Sequence, residues 1–160
     1  RLRAGYWTQF LRELRREVTG ADPKASVLVF ETGGGSEAST AYKKMLDIPT
    51  WLEEGIIDTL YLTFGVTEDG TRPWMGDAAR VKELISGAKA FAGDRVRVYP
   101  LLNVYRGTSP GDGEWVAKAL LEGVKNSMEA GADGIGVYRA DRVVSFDLWD
   151  SLGRITRGDF

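Results

Sequence analysis

The chain has 160 residues, 43% of them hydrophobic and 28% charged, with a formal net charge of −2. That is enough apolar material for a packed core, and too little positive charge for nucleic acid or an anionic membrane surface to be the expected partner. With no Cys and no His, disulfides, thiolate zinc sites, a Cys nucleophile and a Ser-His-Asp triad are excluded, and acid–base chemistry falls to Asp, Glu, Tyr or Lys.

From Tyr6 to Val18 the apolar residues Tyr6, Trp7, Phe10, Leu11, Leu14 and Val18 recur at helical spacing, which predicts a helix burying that face. Arginines interleaved with glutamates fill the opposite side, the pattern of a solvated face. Thr19 to Pro23 reads as a turn. Val27 to Phe30 is a short continuous apolar run, suited to a parallel strand covered on both faces. It ends at Glu31, before Gly33-Gly-Gly35. The glycine run lacks the Lys-Ser/Thr ending of a P-loop and is expected to be a loop hinge.

Asp47 or Thr50 is expected to cap a short helix that stops at Gly55. Leu60 to Phe64 predicts the second strand, and Asp77 to Ala92 a helix with Val81, Leu84, Ile85, Ala88 and Phe91 buried. Val96 to Tyr99 predicts the third strand, with an extension to Leu102 as the alternative end, and a break or bulge at Pro100 because proline lacks an amide donor. Glu114 to Ala130 is the longest predicted helix, with Trp115, Ala119, Leu120, Val124 and Met128 near one face. Ile135 to Tyr138 is the fourth strand. Ser145 to Leu152 reads as a closing helix and Arg154 to Phe160 as a tail. Trp7, Trp51, Trp115 and Trp149 fall on helical stripes and are expected in the core. No apolar run is long enough to cross a bilayer.

Helix, glycine stop, buried strand and polar tip occur at Gly55 to Phe64 and again at Gly131 to Tyr138, which marks an internal repeat. Alternating helices and strands predict an α/β chain of parallel (βα) units with right-handed crossovers. The expectation is a single (βα)4-type segment over residues 1–160: half, or the C-terminal part, of a TIM (βα)8 barrel. Half a barrel leaves two edge strands and an inner face uncovered. Completion by the remaining half of the barrel, or by a second copy, is therefore expected; a flavodoxin-like sheet is the alternative.

Asp47-Ile-Pro-Thr-Trp51-Leu-Glu-Glu-Gly55-Ile-Ile-Asp58 resembles a pattern found in the glycoside-hydrolase-like (βα)8 barrels of uncharacterised bacterial proteins. Ala130-Gly-Ala-Asp-Gly-Ile135, together with Leu148-Trp149, is similar to their closing strand and helix. The resemblance covers nearly the whole chain, in the position of the C-terminal half. It implies a carbohydrate-related role, hydrolytic or binding.

In such a barrel the site lies at the C-terminal ends of the strands. Glu31 follows four apolar residues directly and is the first candidate for a general acid, because partial burial raises a carboxyl pKa. Ion pairing with Arg106 or Arg139 is the structural alternative. Most glycosidases need a second carboxylate, and Asp69, Glu68 and Asp141 are the candidates. Thr63, Trp74, Asn103, Tyr105, Arg106, Tyr138 and Arg139 are candidate substrate-binding residues; the two arginines suit an acidic sugar or a phosphate. Asp58 and Asp133 precede strands and are expected to serve stability. No cofactor or metal site is expected. The expected ligand is a carbohydrate, with a phosphorylated small molecule as the alternative.

Overall fold

The computed structural model describes residues 2–31, 46–65, 75–103 and 113–160, without the side chains of Leu2, Arg3 and Glu31. Four strands form one sheet in sequence order: β1 (Leu28–Glu31), β2 (Thr59–Gly65), β3 (Arg97–Asn103) and β4 (Gly136–Tyr138). All three pairings are parallel. The helices are α1 (Leu2–Ala21), α2 (Ile48–Glu53), α3 (Ala78–Ala92), α4 (Gly113–Glu129), α5 (Ala140–Ser145) and α6 (Trp149–Arg157). The sequential order excludes the flavodoxin-like sheet, whose strands run 2-1-3-4-5. The sheet curls as half of a (βα) barrel does. The Tyr61 ring on β2 reaches past β3, so that a Cβ on Gly136 of β4 would stand 3.3 Å from it.

Register sorts the strand residues into two faces, because side chains alternate along a strand. Leu60, Leu62 and Phe64 with Val98 and Leu102 form the convex face, and all are buried. They share one core with Val81, Leu84, Ile85 and Ala88 of α3 and with Val116, Leu120 and Val124 of α4. Truncating any of the larger ones to Ala would cost about 2–5 kcal/mol. The concave face carries Leu28, Phe30, Tyr61, Thr63, Tyr99, Leu101, Asn103 and Tyr138. Among these Leu28, Phe30 and Tyr138 are exposed.

The two halves of the chain repeat one design. Gly55 and Gly131 both adopt left-handed φ, 64° and 88°, the conformation in which glycine ends a helix without a Cβ clash. The following amides close the same wide turn, Ile56 N–H to Trp51 O at 3.0 Å and Ala132 N–H to Ser127 O at 3.1 Å. An aspartate then precedes the next strand. Asp58 accepts from the Val27 amide at 2.7 Å and from Arg15 of α1. Asp133 accepts from the Val98 amide at 2.7 Å and from Lys89 of α3 at 2.9 Å. The stabilising role expected of both aspartates is therefore seen as bonds that tie a helix and two strands together at the N-terminal face.

Several local expectations are corrected. Thr50 lies inside α2, and Asp47 makes no side-chain cap bond there; Pro49 in the first turn starts this helix instead. Asp77 does cap α3, accepting from the Arg80 amide. β3 runs through Pro100 unbroken, with Pro100 in register opposite Leu62. The amide and carbonyl of Val98 both turn toward Asp133. Pro100, two residues on, shares that side, so its missing donor does not touch the β2 ladder. The closing helix is two helices, α5 and α6, and α6 takes in much of the expected tail. Trp51 is buried, its indole N–H donating to Thr8 Oγ1 at 2.8 Å. Trp7, Trp115 and Trp149 are exposed instead, as are Tyr6, Phe10, Phe91 and Met128. Helical periodicity located the apolar stripes, but the sheet covers only part of each. The smaller residues Ala4, Thr8, Ala92 and Ser127 take the covered positions.

Candidate functional site at the strand tips

The concave face has an aromatic floor and a polar end. Phe30, Tyr61 and Tyr99 lie on one rung across β1, β2 and β3. Their rings stack at centroid spacings of 4.7 and 5.4 Å, with interplanar angles of 15° and 22°. These spacings follow the separation of neighbouring strands, about 4.8 Å. The lead-in to β4 supplies glycine beside the rings: a Cβ on Gly134 would sit 2.4 Å from the Tyr99 ring.

One rung nearer the C-terminal ends, Thr63 pairs in register with Leu101 and Gly136. One further, Asn103 pairs with Gly65 and Tyr138. Thr63 and Asn103 are each only 5% exposed, yet Thr63 Oγ1 and Asn103 Oδ1 have no hydrogen-bond partner among the described residues. A buried polar atom without a partner costs about 1–3 kcal/mol, so two on the same face of neighbouring strands form a conspicuous pair. Ser127 Oγ is also buried without a partner, but it belongs to the helix layer.

At the end of β4, Tyr138 is exposed and Arg139 follows it through a cis peptide bond. Arg139 makes a two-pronged contact with Asp141, at 3.0 and 2.9 Å. The hydrogen bond from Arg139 holds the Asp141 carboxyl below its ordinary range, with the nearby charges of Arg139 and Arg142 acting in the same direction. Arg139 thus favours the ionised form of Asp141. Of the alternatives open for Arg139, ligand binding or a salt bridge, the salt bridge to Asp141 is present.

Glu31 closes β1, in register with Leu62 of β2. Its side chain lies outside the described residues. Glu68, Asp69 and Trp74 lie outside them too, as do Tyr105, Arg106 and the Gly33–Gly35 run. The expected residues that the structure brings to one end of the sheet are therefore Thr63, Asn103, Tyr138, Arg139 and Asp141. Sequence reading missed the Phe30–Tyr61–Tyr99 ladder. Its signal was an aromatic at the same step of three successive strands, legible once register is known. No group of three or more acidic residues placed to hold a metal ion occurs among the described residues. A groove on the outer layer between α4 and α6 is lined by Lys118, Lys125 and Arg154 together with Glu114 and Glu122. Its mixed charge selects no ligand class. No described helix is long and apolar enough to cross a membrane. No protein-family model matches the chain, and no curated protein matches it.

Proposed function

We propose that the chain forms four units of an eight-stranded (βα) barrel whose strand tips bind a glycan. The observation that carries this reading is the pair of buried, unpartnered polar atoms, Thr63 Oγ1 and Asn103 Oδ1, above a stacked aromatic floor. A sugar presents hydroxyl groups that donate and accept, and C–H faces that lie on aromatic rings. A hydroxyl and an amide oxygen satisfy the first need, and Tyr138 offers a ring at the same end of the sheet for the second. A site built to hydrogen-bond a hydroxyl discriminates strongly against ligands lacking it, because its buried groups are then left unpaired.

Hydrolysis is the finer form of the proposal. Asp141, ion-paired with Arg139, is the described carboxylate nearest in sequence to a strand tip. An acid partner is then required, about 5 Å away for a retaining reaction and farther for an inverting one. Glu31 at the end of β1 and Asp69 after β2 are the candidates for that partner. A phosphorylated ligand is the second reading, but Arg139, the described cation at the strand tips, is engaged by Asp141.

The test is calorimetric titration with neutral oligosaccharides, followed by Asn103→Ala and Thr63→Val. Saturable binding that weakens at least tenfold in either variant supports the site, a loss of about 1.4 kcal/mol. Binding unchanged in both variants removes it. For hydrolysis, Glu31→Gln and Asp141→Asn should each abolish turnover while leaving binding measurable. Full turnover in Glu31→Gln would leave that residue without the assigned role.

A further inference from the structure

The internal repeat shows what each open edge of the sheet is shaped to receive. The first unit is α1, β1, α2 and β2; the second is α3, β3, α4 and β4. Arg15, Val27 and Asp58 of the first match Lys89, Val98 and Asp133 of the second through the same hydrogen bonds. Register agrees: Leu28 opposite Thr59 translates to Tyr99 opposite Gly134, which is continuous with Leu101 opposite Gly136.

Within the chain the units meet at one seam, where β2 takes β3 with Tyr61 opposite Tyr99 and Thr63 opposite Leu101. The edge equivalent to β2 is β4, and the strand equivalent to β3 is β1. Carried over by the repeat, that seam becomes β4 against β1, with Gly136 opposite Leu28 and Tyr138 opposite Phe30. In the single chain Leu28, Phe30 and Tyr138 are 47%, 53% and 48% exposed.

The helix layer tells the same story. By the same alignment Trp7 and Phe10 of α1 correspond to Val81 and Leu84 of α3. Those two are buried on a helix that packs against α2, whereas Trp7 and Phe10 are 49% and 52% exposed. They lie on the flank of α1 away from the Arg12–Glu54 bridge to α2. With Gly55 matched to Gly131, buried Leu52 of α2 corresponds to exposed Met128 of α4. Each exposed residue thus has a counterpart that is covered at the internal seam.

We infer that two copies of this chain close head to tail, β4 of each against β1 of the other, into an eight-stranded parallel barrel. This rests on the eight-stranded reading above and names what completes it. The chain carries both sides of the seam, so one twofold rotation pairs both open edges and leaves no edge strand. The concave face becomes the barrel interior, and the strand-tip site is completed by tips from both copies.

The experiment is sedimentation velocity on the chain at micromolar concentration without saccharide, with melting followed over a concentration series. A dimer whose melting temperature rises with concentration is expected. Phe10→Glu should weaken it by at least tenfold while helical circular dichroism persists. The chain has no Cys, so Phe30→Cys and Tyr138→Cys chains can be mixed with a short thiol-specific cross-linker. Covalent heterodimer, well above the yield from either variant alone, is expected. A cooperative monomer, an aggregate of no fixed size, or a dimer indifferent to Phe10→Glu and without the cross-link overturns the inference. Failure of glycan binding alone would leave the dimer untouched, so the two readings fail separately.

Discussion

Asp58 and Asp133 occupy equivalent positions in the two units. Each accepts the amide at the start of the neighbouring strand, from Val27 and Val98, and each takes a cation from the helix before that strand, Arg15 and Lys89. One carboxylate in each unit therefore fixes the height of two strands and the foot of a helix. Asp58→Ala and Asp133→Ala should each cost about 1–2 kcal/mol, the range for hydrogen bonds to a charged group reduced for partial solvent access. Asp58→Asn should cost less, because it keeps an acceptor for the Val27 amide. Urea unfolding midpoints at constant slope measure this. The sites share no partner, so the double variant should show nearly the sum of the two losses.

Thr63 separates stability from function. Its hydroxyl is buried without a partner, so Thr63→Val removes a desolvated polar atom and keeps the shape. The melting temperature should hold or rise, by up to about 1–2 kcal/mol of added stability. Glycan affinity should fall at the same time. Thermal melts and calorimetric titration on the same preparation read both quantities. A variant that loses stability would show that the hydroxyl is satisfied in the fold.

The acid side of the stability profile follows from two lowered carboxyls. Hydrogen bonding to Arg139 lowers Asp141, and hydrogen bonding to Arg12 lowers Glu54. Both folded values lie below the unfolded ones of about 4. Their stabilisation is complete above the unfolded pKa and is lost as the pH falls through the lowered folded values. Both groups are open to solvent, so the loss is small and shrinks in high salt. Urea midpoints from pH 6 downward should fall less steeply in Asp141→Asn than in the parent chain.

Gly123 reports on packing between α4 and the entry to α3. A Cβ there would come within 2.4 Å of Met75 Sδ and 3.0 Å of Met75 Cβ, and Met75 is fully buried. Asn126 also donates to the Met75 carbonyl at 3.1 Å, which fixes the Met75 backbone. Gly123→Ala should cost about 1–3 kcal/mol by overpacking. Met75→Ala also costs stability as a core truncation, but the double variant should lose less than the sum of the two in thermal unfolding, because the shortened side chain vacates the space the new methyl needs.

The sequence by itself determined the alternation of helices and strands as far as the fourth strand, the glycine stops at Gly55 and Gly131, and the stabilising places of Asp58 and Asp133. Each is written in local chemistry: apolar runs of strand length, left-handed φ that favours glycine, and a carboxylate just ahead of a strand. Helical periodicity gave the right stripes but the wrong depth for Trp7, Phe10 and Trp115, because periodicity measures direction and not how wide a neighbour is. Only the tertiary structure decided strand order, and with it that Phe30, Tyr61 and Tyr99 stack on one rung. It also decided that Thr63 and Asn103 are buried without partners. Contact across a parallel sheet is a matter of register between segments far apart in the chain, and register is set by pairing and curl, which no local pattern records.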